Sequence, residues 1–182
     1  MSQPLVLPHD PDLAAPPEGW TATALPALED AGATEALAHA LAPVLRAGDT
    51  ILLQGQLGAG KSHFARTLIR ALMGPEGERA EIPSPTFTLV QAYDSAAGEI
   101  WHADLYRMGD PQELVELGLD AAMEEAICLI EWPDRIAPDW PEGAICLRLE
   151  RVPGAAEARG ATLLAPAGSD LARRCLVALA ER

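Results

Sequence analysis

Basic charge is what this 182-residue chain has least of. Thirteen Lys and Arg stand against 27 Asp and Glu, a formal net charge of −14. Lys61 is the single lysine. Proteins that grip nucleic acid unaided use Lys and Arg to neutralise phosphates, so neither DNA nor bare RNA is an expected partner. Docking on an anionic membrane is excluded on the same ground, whereas an acidic surface suits a basic protein partner or simple solubility. Cysteine is also scarce: Cys128, Cys146 and Cys175 are odd in number and show no CxxC spacing. Each lies in an apolar run, which reads as a reduced core thiol rather than a disulfide or a zinc ligand. No apolar run approaches the ~18 residues needed to cross a bilayer. No Lys or Arg precedes Arg46, so neither a secretory nor an Arg-rich transit leader is expected. Together these absences predict a cytoplasmic protein.

What is present is ordinary globular material, 49% hydrophobic and 22% charged, in a length that suits one domain. Five prolines in residues 1–19 predict an extended tail, and residues 20–182 a single domain. Short β-like runs alternate with helical periods, the pattern of an α/β domain. Strands are expected over residues 20–25, 50–54, 86–93, 99–104, 127–131 and 145–150, with 161–165 as an edge. The short connection around residues 94–98 makes its two strands antiparallel. Leu37, Leu41, Val44 and Leu45 mark one helix face, which Pro43 should kink or end early. A second helix spans 61–73 and stops at Gly74-Pro75. Asp110 as N-cap, Pro111 and Glu113 start a third, and Ser169 caps the last.

Residues 55–62, Gly-Gln-Leu-Gly-Ala-Gly-Lys-Ser, fit G-x-x-x-x-G-K-[ST]. Glycines let such a loop wrap so that backbone N–H groups cradle phosphates, and the following helix presents its positive end to the same anion. Lys61 is expected to reach the β- and γ-phosphates and Ser62 to ligate Mg²⁺. A glycine turn matching by chance is the bland alternative. The β run before the loop, the amphipathic helix after it, and a lone lysine where a compact ammonium is needed favour a P-loop NTPase. The predicted fold is therefore a three-layer P-loop NTPase with a mixed parallel and antiparallel central sheet. Two acids end apolar strands and are candidates for metal and water chemistry, Asp104 and Glu131. His102 shares a strand face with Asp104 and reads as a structural histidine. Trp132 reads equally as a packed ring or as an aromatic beside the nucleotide or a partner. Arg107 reads as a surface ion pair rather than a charge stabiliser.

Four ordered motifs carry a more specific resemblance: residues 55–62, Ser-Pro-Thr-Phe-Thr-Leu-Val at 84–90, His-Ala-Asp-Leu-Tyr-Arg at 102–107, and Ile-Cys-Leu-Ile-Glu-Trp-Pro at 127–133. From about Leu25 onward the chain resembles the TsaE (YjeE) family, bacterial ATPases of tRNA threonylcarbamoyladenosine biosynthesis. The resemblance implies ATP and Mg²⁺ as ligands, and the proteins TsaB and TsaD as partners, through which tRNA is reached only indirectly. It implies Asp104 at the Walker B position, Glu131 at the Mg²⁺–water centre, and Thr86 in a switch-like loop near the γ-phosphate, with Lys61 among the catalytic groups. Nucleotide contacts are implied for Gly55, Gln56, Leu57, Gly58, Ala59, Gly60, Lys61, Ser62 and His63, with Thr34 (beside Asp30) and Arg159 as further matches. Metal contacts fall to Ser62, Asp104 and Glu131. Two positions depart from the family loop: Gln56 stands where it has Asp, removing a charge beside the phosphates, and Ser62 stands where it has Thr, keeping the hydroxyl.

A nucleoside or small-molecule kinase is the main alternative, but it needs an arginine-rich lid, and Arg148, Arg151 and Arg159 are spread over a strand and a loop. A guanine-reading N/T-K-x-D motif is impossible with Lys61 as the only lysine. A nucleotide-dependent docking module with negligible turnover is the alternative outside enzymes. Lys61→Ala should weaken Mg-ATP binding at least about tenfold by calorimetry; unchanged affinity would sink the P-loop assignment.

Overall fold

Strands β2 (Thr50–Gln54) and β5 (Ile127–Glu131) are buried at all five positions. Apolar runs of this kind belong to strands covered on both faces, as in a parallel sheet flanked by helices. The computed structural model, which describes residues 13–110 and 113–181, pairs these two strands in parallel. It extends the parallel block to β6 (Ile145–Val152) on one side and β4 (Gly98–Asp104) on the other. Three antiparallel pairings complete the sheet: β3 (Val90–Ser95) on β4, β7 (Ala155–Pro166) on β6, and β1 (Trp20–Ala24) on β7. The order is β1-β7-β6-β2-β5-β4-β3. The fold is α/β with a mixed sheet, as expected.

Alternation along the strands divides the core into two layers. Ile51, Leu53, Leu129 and Leu147 point to one face and pack with Leu37 of α1 (Ala31–Leu41), Phe64 and Leu68 of α2 (Lys61–Met73), and Cys175 of α5 (Asp170–Ala180). Leu52, Cys128, Ile130 and Cys146 point to the other face, against Leu119 and Ala122, Trp132 and Trp140. Arg174 of α5 makes a two-pronged contact with buried Asp49, at 2.7 and 3.0 Å, and so pins that helix to the entrance of β2.

Four expectations need correction or refinement. Residues 161–165 are not an edge, because β1 adds outside β7 and covers it. Residues 86–89 are not strand: the chain turns at 85–88, Leu89 takes a left-handed φ of 63°, and pairing begins at Val90. The turn is drawn inward by the Thr86 hydroxyl, which donates to Asp104. The helix expected from Asp110 is broken at Gly118 (φ 73°) into α3 (Glu113–Glu116) and α4 (Leu119–Glu125). Glu113 still accepts from the Gly109 and Asp110 backbone N–H groups, the capping bond its spacing predicts, while Pro111 lies outside the described residues. Of the proline-rich tail, residues 1–12 lie outside the described residues. Ala14 is tied down, its N–H donating to Asp134 and its carbonyl accepting from Gln54.

All three cysteines are buried and free. Burial pushes the Cys128 and Cys175 thiols up to about 12, and Cys146 higher still. The folded chain therefore holds thiol protons that the unfolded chain has released above its ordinary thiol pKa. That stability is intact at pH 8 and is lost as pH rises from about 9 towards 12. Denaturant unfolding at pH 8 and pH 10 should show a loss of roughly 1 kcal/mol per cysteine. Cys175→Ala should show a smaller pH-dependent drop than the parent chain.

Candidate nucleotide site

Between β2 and α2 the chain must turn at Gly55, pressed against the neighbouring strand. Gly55 has a φ of +149°, and a Cβ there would overlap the Leu149 carbonyl oxygen of β6, so only glycine passes. Lys61 Nζ donates to the carbonyls of Gly55 and Gln56 at 2.6 and 3.1 Å, and it lies 3.6 Å from the centroid of the Trp132 ring. The lysine is buried, and these carbonyl and aromatic partners compensate its lost hydration. The loop is also held by two arginines of the β6–β7 hairpin. Arg151 donates to the Leu57 carbonyl and Arg159 Nε to the Ala59 carbonyl, each at 3.1 Å.

Asp104 and Glu131 are register partners at the ends of β4 and β5. Both are buried, at 4% and 1% exposure, and two adjacent carboxylates at that depth require donors. Asp104 accepts from Thr86 Oγ1 at 2.7 Å and from the Tyr106 N–H at 2.9 Å. Glu131 accepts from Ser62 Oγ at 2.7 Å, and its other oxygen lies 2.8 Å from His102 Nε2. His102 Nδ1 is buried without a partner. With its proton on Nε2 the ring donates to Glu131 and leaves the Nδ1 lone pair unmatched. Ser62, Thr86, Asp104 and Glu131 thus arrive from four elements at one point.

These side chains open onto a cavity of about 400 Å³, also lined by Leu57, Gly58, Gly60, Lys61, His63 and Trp132. Gly55, Gln56 and Ala59 build the loop without lining the cavity. Thr34 is buried in the first turn of α1, bonded to the Asp30 carbonyl, and does not line it. Arg159 does not line it either; its contacts are carbonyls of the loop and of its own hairpin. Arg107 lies over the Phe87 ring, 5.2 Å from its centroid. Trp132, read equally as a packed ring or as an aromatic beside the nucleotide or a partner, is packed and also lines the cavity. It is buried, lies 4.7 Å from the Tyr106 ring, and holds a left-handed φ of 62° directly after Glu131. Two lining residues are given no role by sequence, Arg66 outside the motifs and Tyr106 within the one at 102–107. A signal existed for Arg66, which follows Ser62 by four positions and so shares its helix face. A slightly larger groove of about 460 Å³ lies between β1 and α5, but Arg173 is its only charged lining residue, so size does not mark the chemistry.

One hydroxyl and two carboxylates form an all-oxygen donor set, the kind that suits Mg²⁺. Among the described residues no cluster of three or more His, Cys, Asp or Glu is arranged to hold a metal.

The family profile described as "Threonylcarbamoyl adenosine biosynthesis protein TsaE" matches residues 28–159. This chain belongs to the TsaE family. The match is shorter than the motifs implied: it starts just past Leu25 and ends before α5. A Rickettsia felis protein named tRNA threonylcarbamoyladenosine biosynthesis protein TsaE is 44% identical over 103 residues, 57% of this chain and 58% of that protein. The protein of the same name from Bacillus subtilis is 34% identical over 119 residues, 65% of this chain and 72% of its own length. A crystal structure of Bacillus subtilis YdiB superposes with a TM-score of 0.67 at 24% identity, covering 89% of this chain and 95% of that one, a likeness of fold. The Rickettsia alignment thus spans under two thirds of its relative.

The buried His102–Glu131 pair can be tested without any ligand. His102→Ala leaves a buried carboxylate oxygen without its donor and should cost about 3–5 kcal/mol in denaturant unfolding. In a Glu131→Gln background the same change should cost at least about 1 kcal/mol less. Equal costs in both backgrounds would show that the pair is not coupled.

Proposed function

We propose that this protein binds ATP with Mg²⁺ in the P-loop cavity, hydrolyses it, and thereby serves TsaB and TsaD in threonylcarbamoyl modification of adenosine 37 of tRNA. The observation that carries the reading is the convergence of Ser62, Thr86, Asp104 and Glu131 at the mouth of one P-loop. Family membership supports the pathway, and the cytoplasm is the matching compartment. No helix among the described residues is long and apolar enough to cross a membrane.

In this reading the loop N–H groups and the start of α2 receive the phosphates. Lys61 exchanges the Gly55 and Gln56 carbonyls for phosphate oxygens. Ser62 and Asp104, with Glu131 beside them, would hold the metal, which when bound would supply charge neutralisation at the phosphates. Glu131, held by His102, orients the attacking water and accepts its proton. The water oxygen bonds to the γ-phosphorus while the bond to the β–γ bridging oxygen breaks, and ADP leaves with that electron pair. Thr86 offers the same hydroxyl to Asp104 or to a terminal phosphate, so the turn at 85–88 senses the nucleotide. Beside it Phe87 is 85% exposed and Leu57 of the loop 56% exposed, an apolar rim suited to a protein partner. The net charge of −14 favours contact with tRNA through that partner rather than directly.

Asp104→Asn and Glu131→Gln should keep Mg-ATP binding while losing hydrolysis, about 10²-fold or more. Normal turnover in either variant would remove that residue from the mechanism. The rate should rise when TsaB and TsaD are added, and the lone chain should show no salt-resistant tRNA binding. A fast intrinsic rate indifferent to the partners would overturn the partner-dependent reading.

A further inference from the structure

We propose that Arg66 is a catalytic residue of ATP hydrolysis, the positive charge that the chain itself contributes at the terminal phosphate. The inference rests on the ATPase reading above. Arg66 lies one helical turn beyond Ser62 on α2 and on the same face. Long helical side chains lean towards the helix N-terminus, here back towards the P-loop. Arg66 is half-buried and lines the cavity together with Ser62, Thr86, Asp104 and Glu131.

Its lack of partners sets it apart from the other half-buried arginines. Arg174 is held by Asp49, Arg148 by Gln54, and Arg151 and Arg159 by loop carbonyls. Arg66 makes no hydrogen bond, ion pair or ring contact among the described residues. A half-buried guanidinium in that condition is poised for an anion that enters the cavity.

The charge inventory says which anion. Lys61 and Arg66 are the permanent cations lining the cavity, and Asp104 and Glu131 are its carboxylates, so the four sum to zero. Mg-ATP adds about two negative charges, more than Lys61 at the base of the loop offsets alone as it reaches the β- and γ-phosphates. Arg66 shares its helix face with Ser62 and its cavity with Glu131, the residues that the reading above assigns to the metal and the water. As the bond to the γ-phosphorus breaks, negative charge spreads over the phosphoryl and leaving oxygens, and a planar guanidinium can pair two of them at once. P-loop enzymes take such a charge in cis or from a partner, and this fold supplies a candidate in cis.

The test uses Arg66→Gln and Arg66→Lys in the full chain. Calorimetry compares Mg-ADP with Mg-ADP plus aluminium fluoride, which mimics the phosphoryl group in flight, and turnover is measured with TsaB and TsaD present. For Arg66→Gln, ADP affinity should stay within about twofold, while affinity for the fluoride complex falls at least about tenfold and turnover about 10²-fold. Arg66→Lys should recover part of both losses. Equal losses for ADP and the fluoride complex would indicate general charge and overturn the proposal. So would unchanged binding of both, including the case in which turnover falls only because partner docking fails. If the parent chain bound neither Mg-ADP nor Mg-ATP, the ATPase reading would fall and this inference with it. Tight binding by the parent chain with an indifferent Arg66→Gln would overturn the role of Arg66 alone.

Discussion

Two carboxylates buried side by side are the constraint on which the site depends. Asp104 and Glu131 face each other across parallel strands at 4% and 1% exposure, and neither could remain ionised there without donors. Each donor brings an element with it. Ser62 commits the first turn of α2, His102 commits β4, and Thr86 commits the turn that leads into β3. The same contacts that make burial tolerable bring the chemistry together. They also make the ligand-free site self-satisfied, with Ser62 and Thr86 bonded to the carboxylates and Lys61 bonded to its own loop. In the proposed function, nucleotide binding would amount to an exchange of these partners.

The two halves of the sheet have different tasks. The β4–β3 side supplies acids and the threonine turn. The β6–β7 side supports the loop, through the Leu149 carbonyl that admits only glycine at position 55 and through Arg151 and Arg159 on the loop carbonyls. Arg159 does not line the cavity; its side chain acts on the shape of the loop, through the Ala59 carbonyl. Behind the loop, Gln54 links Arg148, Asp134 and the Ala14 backbone, so the segment ahead of β1 is fastened to the strand from which the P-loop springs.

Trp132 shows how strain and function meet. A bulky residue at a φ of 62° is unfavourable, and it is tolerated here because packing over-determines it. The ring stacks near Tyr106, underlies the Lys61 ammonium, and follows directly on Glu131. The strained residue thereby fixes the end of β5 against the cavity wall.

Much of this was legible in the chain itself. The buried runs 50–54 and 127–131, the helix 61–73 and the loop between β2 and α2 carry their own local signals, because hydrophobic periodicity and glycine spacing are properties of adjacent residues. Asp104 and Glu131 stood out as acids closing apolar strands. What the sequence could not decide were relations between segments. The burial of 161–165 depended on β1 pairing outside it, and the break at Gly118 on how α4 packs. The start of β3 at Val90 depended on a threonine hydroxyl finding a carboxylate 18 residues away. His102 read as an ordinary structural histidine until register placed Glu131 beside it. Arg66 lies outside every motif, and only the cavity brings it to the P-loop and the two acids. Sequence alone determined which residues could do chemistry, since that is set by side-chain type and local spacing; tertiary structure decided which of them meet, since strand register and helix packing are set by contacts between residues far apart in the chain.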